Sequence, residues 1–126
     1  MSLEKISTPG IPAGLGPASQ GVKDGNYLFL SGQTPVNPQT KELNGDTIES
    51  QAEQVMQNLG AILRHQGLDY CDVVKTTCFL TDMANYPKFN EVYAKYFTEK
   101  PARSCFAVAA LPRNSLCEVE LIAKLR

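Results

Sequence analysis

Apolar side chains recur along this chain with two different periods, and the period predicts the type of element. Between Ile48 and Leu63 they fall three or four positions apart, which is the spacing of one face of an α-helix. Asp46 and Glu49 form a variant of a capping box at the start of this segment, and Gly67 follows its end. The pattern therefore predicts a first helix with one apolar face.

A second helix is predicted where aromatic residues recur with the same period. It begins after Asp82, which can cap it, and it ends before Pro101. Pro87 fits near its start, because the first turn of a helix tolerates proline. The apolar stripe consists of Tyr86, Phe89, Val92, Tyr93, Tyr96 and Phe97. We expect this stripe to pack into the core rather than to stack on a ligand.

Alternating apolar positions predict the strands. Four segments have this period, at residues 27–33, 73–81, 104–109 and 116–124, and short stretches at 4–7 and around Val22 are candidates to pair with the first. Glycine and proline between residues 8 and 21 predict a shaped loop. The order of elements predicts an α+β fold of two layers, in which two helices cover one face of a mixed sheet. At 126 residues, we expect a single domain over residues 1–126.

The second face of the predicted sheet also carries apolar side chains. In the last strand, Cys117 and Val119 alternate with Glu118 and Glu120, so the carboxylates are predicted to face away from the helices. The strands at 27–33 and 73–81 have apolar groups on both faces. A monomer would expose them, so we predict a homo-oligomer whose sheets pack together around Glu118, Glu120 and Arg103.

Composition narrows the classes of function. Hydrophobic residues make up 43% and charged residues 20%, and the net charge is −1, so no basic surface for nucleic acid is indicated. Apolar runs are too short for a signal peptide or a membrane span, and the cytoplasm, or an organelle reached by a signal not visible here, is expected. The four cysteines occur singly, and no metal-ligand cluster or nucleotide motif is present. We expect no metal and no cofactor.

Arg103 and Glu118 are the strongest candidates for chemistry. They are predicted on two strands that pair, where the guanidinium would bind a carboxylate and Glu118 would hold or deprotonate a water. The alternative is a structural ion pair of Arg103 with Glu118 or Glu120. Cys105 points to the same side as Arg103 and is interpreted as a wall residue, because no histidine nearby in sequence would activate it. The single histidine, His65, is favourable near a helix C-terminus without any catalytic role.

These residues resemble the RidA, or YjgF-like, family, also called L-PSP endoribonucleases. The similarity extends over nearly the whole chain and includes SGQTP at residues 31–35, PARS at 101–104 and EVE at 118–120. The resemblance implies a chorismate-mutase-like fold, with sheets packed into a central barrel in a homotrimer and clefts between subunits. In the RidA branch those clefts hydrolyse 2-iminobutanoate and 2-iminopropanoate to 2-oxo acids and ammonia, without a cofactor.

The resemblance also implies roles for individual residues. Arg103 would hold the carboxylate of a 2-imino or 2-oxo acid, Glu118 would orient the attacking water, and Cys105 would line the cleft, partly through its backbone. Other pocket or interface positions are matched by Ser31, Gly32 and Asn90. Ala18 departs from the family, since deaminating members often have a tyrosine there that closes the pocket. We therefore expect a cleft that is more open or is closed by another residue.

Two other functions remain open at the level of the sequence. The family also includes endoribonucleases that cleave single-stranded RNA and inhibit translation, and in that case Arg103 would stabilise phosphate charge while Glu118 acts as a base. RNA binding is not favoured by the net charge of −1. The third possibility is a module that binds small anions without catalysis, which Ala18 favours.

Overall fold

The computed structural model describes residues 3–11 and 16–126, which form a mixed six-stranded sheet and two α-helices. The strands are β1 (Glu4–Ile6), β2 (Gly21–Asp24), β3 (Tyr27–Gln33), β4 (Val73–Leu80), β5 (Ala102–Ala107) and β6 (Cys117–Lys124). The helices are α1 (Ile48–His65) and α2 (Tyr86–Tyr96). This confirms the predicted α+β class. Of the predicted loop at 8–21, residues 8–11 and 16–20 have no regular structure, and residues 12–15 lie outside the described residues.

The strands follow the order β1-β2-β3-β6-β4-β5, and only the β4–β5 pair is parallel. The prediction that the last two strands pair with each other is therefore wrong. β6 lies between β3 and β4, because its alternate side chains are all buried and need a central position: Cys117, Val119, Leu121 and Ala123. β5 lies at the edge, where only β4 pairs with it.

Both predicted helices form, but their caps differ from the prediction. Thr47 rather than Asp46 caps α1, and its hydroxyl accepts a hydrogen bond from the Ser50 amide at 3.2 Å. Asp82 caps a short 3₁₀ turn before α2, accepting from the Ala84 amide at 2.9 Å, instead of capping the helix itself. In α1 the capping residue is the one after the predicted residue. Before α2 the capping residue is the predicted one, but it caps the 3₁₀ turn that precedes the helix.

The core lies between the helices and one face of the sheet. From α1, the fully buried apolar side chains are Ala52, Val55, Met56, Leu59, Ile62 and Leu63. From the sheet they include Leu28, Cys78, Leu80 and Val119, and from α2 they include Phe89. Fully burying one such large side chain contributes roughly 1.5–3 kcal/mol. This layer therefore fixes which side of each strand faces the helices.

Within residues 3–11 and 16–126, no helix lies on the opposite face of the sheet, called the open face below. It carries large apolar side chains that are 41–46% exposed: Tyr27, Phe29, Val74 and Phe106. The rings of Phe79 and Phe106 meet there edge to face, with centroids 5.4 Å apart. The predicted apolar second face is thus confirmed. Separately, none of the helices in the described ranges has the length and apolar character needed to cross a membrane.

Candidate functional site

The predicted site residues lie in two separate regions of the chain. One region, called the acidic pocket, is a cavity of about 360 Å³ whose walls include Ala18, Ser31, Gly32 and Glu118. The other, called the arginine site, lies between the edge strand β5 and α2 and consists of Arg103, Asn90, Cys105, Tyr86 and Tyr93. Each region contains a different part of the predicted chemistry.

A bulge in β3 shapes the acidic pocket. The pairing of β3 with β6 shifts between Leu30 and Gln33, and the two residues inside this irregular segment are Ser31 and Gly32. A Cβ atom added to Gly32 would overlap the carboxylate of Glu118. Only glycine therefore leaves room for Glu118 to lie across the strand.

Glu118 is a half-buried carboxylate on the open face. Burial raises its pKa above the ordinary value for glutamate, and the negative charge of Glu120 raises it further. In the part of the chain that the structure describes, no ion pair includes Glu118. A carboxyl group with a raised pKa is a stronger base than an ordinary carboxylate, which favours a role in general acid–base catalysis.

Hydrogen bonds attach the preceding loop to the acidic pocket. The Ser31 hydroxyl donates to the Ser19 carbonyl at 2.7 Å, and the Ser31 amide donates to the Gln20 carbonyl at 2.9 Å. The Gln20 side chain accepts from the Thr8 amide at 2.8 Å. Ala18 lies in this loop and lines the cavity with a single methyl group, so it leaves open the space that a larger side chain would fill.

The arginine site holds a guanidinium in a fixed orientation. Arg103 Nη1 donates to Asn90 Oδ1 at 2.9 Å, and Nη2 donates to the Tyr86 hydroxyl at 3.0 Å. The guanidinium carbon also lies 4.7 Å from the centroid of the Tyr93 ring, a cation–π contact. These two hydrogen bonds occupy two of the five N–H donors of arginine, so the planar group is positioned by the protein and retains donors for an anion.

Sequence reasoning missed Tyr86 and Tyr93 as members of this site. Their positions in the apolar stripe predict that both lie in the core. Together with Asn90 they stand at positions i, i+4 and i+7 of α2, which places all three on one face of the helix. The polar side chain of Asn90 within this aromatic stripe is the signal in the sequence that could have indicated the site.

The expected pairing of Arg103 with Glu118 does not occur within the chain. Arg103 is the register partner of Thr76, which is fully buried under the helices, whereas Glu118 is the partner of Phe79 on the open face. The two side chains therefore lie on opposite faces of the sheet, with β4 between their strands. The prediction that they pair within the chain is wrong because the order of the strands differs from the expected one, whereas the packing of sheets of neighbouring subunits around them stays a prediction.

Comparison with known proteins places this architecture in a family. The model of the family described as "Endoribonuclease L-PSP" matches residues 10–125. This chain belongs to that family. Its relatives include a chloroplastic protein of Arabidopsis thaliana named Reactive Intermediate Deaminase A, which is 49% identical over 123 residues. The match covers 97% of this chain but only 66% of that protein.

Other relatives match along their whole length. A RutC family protein of Pyrococcus horikoshii is 46% identical over 121 residues, covering 95% of this chain and 96% of its own. The solved structure of the YjgF gene product from Escherichia coli has a TM-score of 0.90 at 42% identity and covers 98% of this chain and 99% of its own. Escherichia coli TdcF, solved with bound serine, has a TM-score of 0.90 at 40% identity, with coverages of 98% and 99%. The family and its fold are thus shown, and the family contains reactive intermediate deaminases.

Proposed function

We propose that this protein hydrolyses reactive 2-imino acids, such as 2-iminobutanoate and 2-iminopropanoate, to 2-oxo acids and ammonia. The observation that carries the proposal is the Arg103 guanidinium, held by Asn90 and Tyr86 with donors left for a carboxylate. A planar fork of this kind matches a carboxylate in two parallel hydrogen bonds. Two relatives support it, because one is named a reactive intermediate deaminase and another was solved with bound serine, a small amino acid.

The complete site is proposed to form between neighbouring subunits of a homotrimer. Arg103 and Cys105 of one subunit would face Glu118, Ser31 and Gly32 of the next. Two observations support this arrangement: each region of one chain has only one of the two charges, and the open face carries large exposed apolar side chains. Burying such a surface between subunits is favourable.

In this site the reaction needs only orientation and proton transfer. Arg103 binds the carboxylate, while Glu118 takes a proton from a water whose oxygen attacks C2 of the imine. The C=N π electrons move to nitrogen, and Glu118 returns the proton to that nitrogen. The resulting carbinolamine then expels ammonia as its hydroxyl becomes the carbonyl of the 2-oxo acid. Holding the reactants in this geometry supplies much of the acceleration.

The test uses two inactive variants and their mixture. An amino-acid dehydratase generates the imino acid, and formation of 2-oxo acid is followed with the wild type, Arg103→Ala and Glu118→Gln. Each variant alone should lose the activity. If the variants are unfolded and refolded together, about a quarter of the clefts should combine an intact Arg103 with an intact Glu118, and activity should return in that proportion. No recovery from correctly assembled mixtures would contradict a site shared between subunits.

The second candidate is an endoribonuclease, which the description of the matching family model favours. Arg103 would then stabilise the charge that develops on a phosphate. The same variants are incubated with labelled single-stranded RNA. Cleavage by the wild type that disappears in Arg103→Ala, together with no effect on imino acids, would replace the first proposal. If neither reaction occurs but small carboxylates bind, the protein is a binding module.

A further inference from the structure

The thiol of the arginine site lies directly opposite a second thiol on the neighbouring strand. Cys78 of β4 and Cys105 of β5 are register partners in the parallel pair. Neighbouring strands are about 4.8 Å apart, and disulfides join residues whose Cα atoms are about 4.4–6.8 Å apart. Side chains at paired positions point to the same face of the sheet, so a disulfide bond between these two cysteines requires little movement of the backbone.

The two thiols differ in exposure and in acidity. Cys78 is fully buried, whereas Cys105 is half-buried at the edge of the sheet. The adjacent Cys78 thiol, helped by the charge of Arg103, lowers the pKa of Cys105 against the opposing effect of burial. The proximity of Cys105, together with burial, raises the pKa of Cys78.

The remaining surroundings keep Cys105 reactive. Tyr93 of α2 also faces the two thiols, and burial raises the pKa of its hydroxyl, so the ring brings no negative charge near neutral pH. Among the described residues of one chain, the charged group that acts on Cys105 is thus the cation Arg103, two residues along β5. Thiolates next to an arginine and partly open to solvent are the ones that react with oxidants.

We propose that Cys105 and Cys78 form a peroxide-reactive thiol pair, in which Cys105 reacts first and Cys78 resolves the product into an intrachain disulfide. The Cys105 thiolate attacks one oxygen of hydrogen peroxide, so that an S–O bond forms, the O–O bond breaks, and hydroxide leaves and is protonated to water. The Cys78 sulfur then attacks the sulfenic acid. An S–S bond forms, the S–O bond breaks, and the hydroxyl leaves as a second water with the Cys78 proton. Two thiols are oxidised and one peroxide is reduced to two waters.

The other two cysteines provide internal controls. Cys71 is exposed and lies outside the arginine site, with its sulfur 3.9 Å from Arg126 Nη2. Cys117 is buried in β6, and burial raises its pKa to about 12. Exposure and a nearby arginine would therefore favour oxidation of Cys71, whereas the register partner Cys78 favours formation of a disulfide at Cys105.

The experiment is mass spectrometry of the folded full chain. Reduced protein is treated with a small excess of hydrogen peroxide, quenched with catalase, unfolded in acid and alkylated. The expected product has lost two alkylatable thiols, and its digest contains a reducible peptide pair linking Cys78 to Cys105. In Cys78→Val the Cys105 sulfenic acid should instead persist and be trapped by dimedone, as an adduct that the wild type does not accumulate. Cys71→Ser should form the disulfide at the wild-type rate.

Oxidation of Cys71 before Cys105 in the wild type would overturn the proposal. So would a Cys105 sulfenic acid that persists in the wild type without linkage to Cys78. If Cys78→Val proves unfolded by circular dichroism, Cys78→Ser replaces it, because serine keeps the volume of cysteine more closely. The readout is a mass and needs no catalysis, so its failure is distinguishable from failure of the proposed hydrolysis.

Discussion

The acidic pocket and the arginine site differ in how each charged group is supported. Arg103 has two side-chain hydrogen bonds and a ring beneath it, all from α2, so its orientation is fixed by the chain itself. Glu118 lies over a glycine, half-buried, and burial raises its pKa. The fixed orientation of the guanidinium favours binding of an anion, whereas the raised pKa of the carboxyl group favours transfer of a proton. Under the proposed function, binding and proton transfer would belong to different regions, which assembly of neighbouring subunits would bring together.

The largest effect is expected from replacing the guanidinium while keeping its charge. Arg103→Lys should lower kcat/KM for 2-imino acids about 10²–10³-fold, because an ammonium group lacks the planar fork and cannot bond Asn90, Tyr86 and a carboxylate together. Steady-state kinetics measure the loss. Arg126→Lys, at an exposed arginine that pairs with Asp72 outside both regions, is the matched control. Full activity in Arg103→Lys would mean that charge alone suffices there.

The acidic pocket is tested through its glycine. In Gly32→Ala the new methyl group would overlap the Glu118 carboxylate and displace it, so we expect activity to fall about 10–100-fold while carboxylate binding is retained. The measurement separates kcat from the affinity for a 2-oxo acid. Gly16→Ala is the control, because a Cβ atom there meets no atom within 4 Å. Equal activities in both variants would show that the position of Glu118 does not matter.

The connection between the two regions is tested on the open face. Phe29 is 43% exposed, and Phe29→Asp would place a charge on the proposed subunit interface. We expect the oligomer to dissociate and activity to fall with it, as measured by light scattering and by assay on the same sample. Leu3→Asp, at a residue that is 61% exposed and precedes β1, should leave the assembly intact. An active Phe29→Asp monomer would exclude a shared cleft.

The smallest effect concerns the support beneath Arg103. The hydroxyls of Thr76 and Tyr93 lie 2.7 Å apart, and both residues are buried. Thr76→Val would leave the Tyr93 hydroxyl without this partner, which costs about 1–3 kcal/mol of the free energy of unfolding. Denaturant unfolding measures the change. Thr77→Val, one residue along β4 and half-buried on the other face, should have less than half this effect.

Much of the fold could be predicted because it depends on local periodicity. The apolar stripe from Ile48 to Leu63 specifies α1, and the alternation from Cys117 to Lys124 specifies which side of β6 is buried. The choice of strand neighbours could not be predicted in the same way. Residues 102–107 and 117–124 are close in sequence, which suggested a hairpin, but β6 pairs with β3 and β4 instead. Neighbour choice depends on the sum of packing over the whole sheet, which no short window contains.

The sequence by itself determined the types of the elements, the apolar second face and the residues whose side chains could take part in a reaction. Periodicity, propensity and side-chain chemistry are local properties. Only the tertiary structure decided that Arg103 and Glu118 lie on opposite faces, that α2 supplies Tyr86 and Tyr93 to the guanidinium, and that Cys78 lies beside Cys105. The physical reason is that strand order and register bring together residues far apart in the chain. Those contacts are selected by the total burial of the folded state and not by any single segment.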